Sequence, residues 1–342
     1  MPADDIAPLT THTAFTQWEF APIVSVGVVV VALAYVLGVV VVRRRHPLGP
    51  WPVRWTASFL SGCAVIVIAT QSSIGAYDDV LFWIHMVQHV LLLMVAPPLL
   101  LLGRPVTLLL HATRNPAHSA VKRFVRSRVV NAVTFPLLGV VLYIATVVGT
   151  HLTGFMNLTL QHPVAHDLEH VVYIVVGYLY FLPLIGREPI KWRLSFTTRL
   201  FLLVLAMPVD TFTGVVLTQA NHELFPAYVG RRNWGPSLVA DLHAGGAVMW
   251  IGGDFVMLVM LLVLFAGAAR SRQSLDGGAW IEAARANSLS DRGALTTGPG
   301  SGPSQVDDND AQLAAYNAYL ATLGDEHDVN GTPHATKSHD AR

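Results

Sequence analysis

His85 and His89 stand four residues apart in "LFWIHMVQHVLLLMVAPPLL", residues 81–100, and His166 and His170 repeat that spacing in "HPVAHDLEHVVY", residues 162–173. On an α-helix this spacing puts both imidazoles of a pair on one face. Imidazole binds copper, zinc, iron and nickel, whereas hard cations draw mainly on oxygen. The four histidines are therefore candidate ligands of one transition metal. Hydrogen bonding between packed helices is the competing reading for each pair. Met86, inside the first pair, and Met156 offer thioether sulfur of the kind that favours Cu(I), or ordinary packing. His162, Asp167 and Glu169 flank the second pair, as further ligands, as partners that fix a histidine tautomer, or as complements to a helix dipole.

Two carboxylates lie deeper in apolar sequence. Asp210 sits in "AMPVDTFTG" beside Pro208, and Asp254 shares a helical face with His243, Ala247 and Trp250. A charged Asp at bilayer depth costs about 2.5–3.5 kcal/mol on insertion scales. Each is a candidate relay group, or a hydrogen-bonded residue that holds helices together.

The elements that must position these residues follow from composition. With 53% hydrophobic and 13% charged residues, the chain is too apolar for an ordinary soluble domain of 342 residues. Bilayer-spanning runs need about 20 residues. They are expected near 21–42, 56–74, 82–102, 131–150, 166–186, 196–219 and 237–268. Alternate connections hold sixteen Lys and Arg, from Arg43 to Arg272, against Arg231 and Arg232 on the other side. Basic loops stay inside. The expected fold is thus an all-α membrane protein, a bundle of about seven transmembrane helices with the N-terminus outside and the C-terminus cytoplasmic. In that topology His85, His89, His151, His162, His166, His170, His222 and His243 gather on the outer side, with His151 and His162 in a loop.

The expected domains are an extracytoplasmic tail over 1–20, the bundle over 21–269, a disordered cytoplasmic linker over 270–308, and a tail over 309–342. The last carries a short amphipathic helix with Leu313, Tyr316, Leu320 and Leu323 on one stripe. Zero formal net charge gives no basic field for nucleic acid, and the single cysteine, Cys63, excludes an internal disulfide framework. No dinucleotide fingerprint, phosphate loop or Ser-His-Asp pattern stands in a suitable context, so ordinary enzyme chemistry is not expected.

Three ordered stretches carry a family likeness: "HMVQHVLLLMVAPPLLLLGRPVTLLL", "HPVAHDLEHVVYIVVGYLYFLPLIG" and "LFPAYVGRRNWGPSLVADLHAGGAVMWIGGDF". From about Trp51 to Leu264 the chain resembles the polytopic CtaG-type cytochrome c oxidase assembly factors of bacteria. The resemblance implies a multi-pass protein of the cell membrane that helps mature a haem–copper oxidase, with an oxidase subunit as partner and copper delivery as the favoured chemistry. It maps onto His85, His89, His166 and His170, and in the third stretch onto Asp241, Met249 and Trp250. That stretch departs from the family's Asp-Gln by reading Asp241-Leu242-His243, which leaves His243 either an added ligand or a neutral replacement. Two readings from other classes stand beside it. A haem-binding electron carrier would use the histidines as axial ligands. An ion-coupled transporter would use Asp210 and Asp254.

Overall fold

An apolar segment in lipid must satisfy its own backbone hydrogen bonds, and a helix does so within one segment. The computed structural model describes residues 6–47 and 49–269, all helix, turn and loop with no strand among them. The expected linker over 270–308 and amphipathic helix over 309–342 lie outside the described residues. Among the described residues six helices are long and apolar enough to cross a membrane: α1 (Pro22–Arg45), α2 (Val53–Tyr77), α3 (Phe82–Ala112), α5 (Pro163–Ile185), α6 (Phe196–Thr218) and α7 (Leu238–Ala269). The chain is a multi-pass membrane protein. Ile23, Val26, Val30, Leu33 and Leu37 of α1 are exposed, an apolar surface suited to lipid tails.

The run expected near 131–150 takes a different form. Its helix, α4, covers Pro136–His151, and after a break at residues 152–154 the chain continues as Phe155–Gln161, bent by 70°. Sixteen residues rise about 24 Å at 1.5 Å each, short of the hydrocarbon thickness. Pro136 sets the start, at the first helical turn where its missing N–H costs nothing. Counting the bent pair as one span gives seven.

The most buried span is α3, which packs against α2, α5 and α7. Carboxylates from elsewhere in the chain hold it at two places. Near one end Glu188 accepts the N–H groups of Val106 and Thr107, at 3.1 and 3.0 Å, where the helix restarts after Arg104. Asp241 does the same for Phe82 and Trp83 at the histidine end. Between them Pro97 and Pro98 supply no N–H, and the turn over Leu91–Val95 widens to i→i+5 bonding.

The Leu93 carbonyl, left without its usual donor by Pro97, lies against Gly177 of α5. A Cβ on Gly177 would overlap that carbonyl and crowd Pro97, so only glycine lets the two helices approach this closely. Gly177→Ala is therefore expected to cost about 1–3 kcal/mol, the usual penalty for overpacking. A thermal melt of the detergent-purified variant checks this. An unchanged midpoint would show that α3 and α5 can part there freely.

Candidate metal centre

The centre is built at one end of the bundle from α3, α4, α5 and the Asp78-Asp79 turn. Its placement begins with Asp241 of α7, 1% exposed, whose two oxygens accept from Phe82 N at 3.0 Å and Trp83 N at 3.1 Å. A carboxylate at a helix N-terminus satisfies orphan donors and complements the dipole. It fixes the first turn of α3. One turn later come His85 and His89, buried, with ring centroids 4.2 Å apart.

The second pair arrives from α5. His166 stacks on His85 at 5.2 Å between centroids, and His170 lies 4.5 Å from His166. Between the two helices sits Glu169, 2% exposed, with Oε1 3.6 Å from His89 Nε2 and Oε2 3.9 Å from His85 Nε2. Those separations exceed a hydrogen bond. They are close to the ligand-to-ligand edge of a tetrahedral site, roughly 3.3 Å for bonds of about 2 Å.

The histidines divide by their partners. His170 Nε2 meets Gln88 Oε1 at 2.9 Å, and Gln88 Nε2 donates to Asp78 Oδ2 at 2.5 Å and to Ala69 O at 3.0 Å. A carbonyl only accepts, so His170 Nε2 carries the proton and acts as a donor. His166 instead faces carboxylates with both nitrogens: Nε2 is 3.8 Å from Asp78 Oδ2, and Nδ1 is 3.8 Å from Asp79 Oδ1. Burial first, then the adjacent Asp79 charge, push the Asp78 carboxyl well above the usual carboxylate range. Asp79 is half exposed and lies 3.8 Å from Arg231 Nη1.

His151 is expected in a loop, yet it is the last residue of α4 and 2% exposed. The α4 helix simply runs one residue beyond the apolar run. Its Nδ1 lies 2.8 Å from the Val147 carbonyl, which can only accept, so the proton sits on Nδ1. In its neutral form His151 therefore offers Nε2 as an acceptor, and His89 Nδ1, 3.2 Å away, donates to it. Neutral His89 then presents the lone pair of Nε2 to the Glu169 carboxylate. At 3.6 Å the two groups are too far apart for a hydrogen bond, and both stay unsatisfied in a buried space.

That shortfall extends across the centre. Both nitrogens of His85, Nε2 of His89 and of His166, and both oxygens of Glu169 are buried without a hydrogen-bond partner. Such orphans each cost about 1–3 kcal/mol. Cations bound among them would satisfy atoms that no hydrogen bond reaches. Two trios of donor atoms lie close enough to hold one: His85, His89 and Glu169, and Asp78, His85 and His166. Nitrogen and carboxylate donors suit a divalent ion such as Cu(II) or Zn(II). The residues present therefore fit a transition metal.

The other sequence candidates fall elsewhere. His162 and Asp167 are exposed. His243 Nε2 meets the Ala220 carbonyl at 2.8 Å. Met86 packs against Gly245 and Met156 against Thr159, its Sδ 4.0 Å from the hydroxyl. Asp210 accepts from the Tyr143 hydroxyl at 2.7 Å and Asp254 from Thr211 at 3.0 Å, each across a helix boundary. Four-residue spacing does not reach Asp78, Gln88 or His151, whose sequence signals are a carboxylate pair just before an apolar run, an amide between two histidines, and a histidine at the end of a span.

Over residues 33–271 the chain matches the family described as cytochrome c oxidase caa3 assembly factor. It is 30% identical over 325 residues to an uncharacterized protein of Mycobacterium bovis and to one of Mycobacterium tuberculosis, alignments that cover 92% of this chain and 46% of each relative. An uncharacterized protein of Mycobacterium leprae is 28% identical over 265 residues, covering 75% of this chain and 40% of that protein. The chain thus spans less than half the length of these curated relatives. No solved structure matches it. The chain belongs to the caa3 assembly factor family.

Proposed function

We propose that this family member supports assembly of a caa3-type cytochrome c oxidase in the plasma membrane by holding copper at the histidine end of its bundle for delivery to an oxidase subunit. Copper is cargo here. The observation that carries the reading is the lone pair of His89 Nε2 aimed at Glu169, 3.6 Å away, beside a His85 with neither nitrogen bonded. His85, His89 and Glu169 would hold the ion. His151 fixes the His89 tautomer through Nδ1, while His170, through Gln88, orients Asp78. Tyr173 closes the floor, its ring stacked 4.1 Å from His89 and its hydroxyl 2.7 Å from Thr150.

The haem reading has less support. Axial histidines stand on opposite sides of a macrocycle, whereas these rings touch one another at 4.2–5.2 Å between centroids. The transporter reading rests on Asp210 and Asp254, and their hydroxyl partners serve equally to tie helices together. Purified protein dialysed against copper and then against metal-free buffer should retain the ion, with X-ray absorption reporting nitrogen and oxygen ligands at about 2 Å. Absence of retained copper would overturn the copper reading.

Delivery to an oxidase centre on the outer side also requires the histidine end to face outward. The basic residues, sixteen against two, support that orientation. A reporter fused after Arg272 is expected to be active only in the cytoplasm, and a tag before Pro22 to be protease-accessible in intact cells. The reverse pattern would place the histidines on the wrong side for this function.

A further inference from the structure

Resting on the metal-holding reading above, we infer that the centre binds two cations rather than one, in adjacent stations that share His85. The inner station is His85, His89 and Glu169. The outer one is Asp78, His166 and His85, with Asp79 at its rim.

A single ion held by four histidines is the simplest expectation from two i,i+4 pairs, and the atoms are disposed against it. His170 Nε2 is committed to Gln88. His166 turns both nitrogens to Asp78 and Asp79, at 3.8 Å each, and not toward Glu169. His89 turns its free nitrogen toward Glu169 at 3.6 Å. Only His85 belongs to both groups, and both of its nitrogens lack partners although the residue is fully buried, so with both ions bound it bridges them as the imidazolate, its N–H proton released to solvent.

Charge points the same way. Asp78 and Glu169 are 3% and 2% exposed, yet no Lys or Arg pairs with either among the described residues. A buried carboxyl with no counter-charge is driven to its neutral form, and a metal ion replaces that proton as its charge partner. Each has its own histidine at 3.6–3.9 Å, longer than a hydrogen bond and suited to an interposed ion. Exposure falls from Asp79 at the rim, with its side chain 50% exposed, through His166 at 12%, to His85 at 0%. An ion would enter at the outer station and pass inward by exchanging Asp78 and His166 for His89 and Glu169, with His85 retained.

The test is metal stoichiometry on the full purified chain, with Cu(II) and, separately, Zn(II) as probes. Wild type should take up two equivalents. The Cu(II)-loaded form should show a dipolar-broadened electron paramagnetic resonance signal with a half-field line. Asp78→Asn, which keeps an oxygen for Gln88, should bind one equivalent and give the spectrum of an isolated Cu(II). Glu169→Gln should also bind one, and His85→Leu none tightly. Should Asp78→Asn fail to accumulate, His166→Asn, on the less buried side, should give the same single equivalent. One equivalent in wild type, kept in Asp78→Asn and lost in Glu169→Gln, would overturn the second station and leave the copper-holding function standing. No uptake by wild type would overturn both.

Discussion

Replacing His85 by leucine is expected to make the metal-free protein more stable and the metal-loaded protein less so. Both imidazole nitrogens of His85 are buried and unbonded, so the metal-free chain carries an unrelieved cost of about 1–3 kcal/mol for each unsatisfied group. Leucine removes those atoms at similar volume. The midpoint of thermal unfolding without metal should rise by a few degrees. With copper at about 1,000 times its dissociation constant, wild type should gain about 4 kcal/mol by mass action, a gain the variant should lack. The two melting curves should therefore change order when copper is added. In cells, His85→Leu should accumulate in the membrane yet leave assembled caa3-type oxidase at the level of a strain lacking the protein. A packing histidine makes the opposite forecast. A variant less stable without metal and still stabilised by copper would remove His85 from the centre.

The apolar runs made the helices legible because lipid leaves the backbone few alternatives. Five of the seven expected spans match long helices to within a few residues, and α3 starts where expected but runs on from 102 to Ala112. The fourth does not match. Hydropathy sees an apolar stretch but not the 70° break after His151, which the bend at residues 152–154 creates. That same boundary turned His151 from a loop residue into a partner of His89. Four-residue spacing correctly put His85 beside His89 and His166 near His170, since that is local helix geometry. Spacing could not say which nitrogen of which ring meets which carboxylate, because that depends on the register of α5 against α3. The close approach at Gly177 sets that register, and it depends on a carbonyl freed by prolines four and five residues further along another helix. Asp78 belongs to the centre because the turn before α3 brings it within 3.8 Å of His166, and Gln88 reaches back to it from the next span. Conversely, His243 and Met86 looked well placed along their own helices, and each meets a neighbour outside the histidine cluster.

Asp241 marks the resemblance in the third stretch, and the structure gives it a positioning role with a measurable cost. Its carboxylate accepts two backbone N–H groups at the start of α3 and pairs with Arg232 Nη2 at 3.1 Å, both side chains 4% exposed or less. Arg232 also donates to the carbonyls of Val80, Trp234 and Pro236, so one ion pair ties the loop before α7 to the start of α3. Asp241→Ala leaves a buried guanidinium unpaired, a loss of about 3–5 kcal/mol, and strips the helix start of its acceptor, about 0.5–2 kcal/mol more. The variant should lose most of its accumulation in the membrane, or melt far below wild type where it can be purified. Asp241→Asn keeps one acceptor and removes the charge, so its loss should be intermediate. Because His85 lies one turn from Phe82, any Asp241→Asn protein that folds should also bind copper more weakly, with the same number of sites. Adding Arg232→Leu to Asp241→Ala should recover part of the lost stability, since the unpaired charge is then gone. Copper affinity should not recover with it, because the first turn of α3 is still uncapped. Wild-type stability and copper affinity in Asp241→Asn would show that α3 is held in place without this carboxylate.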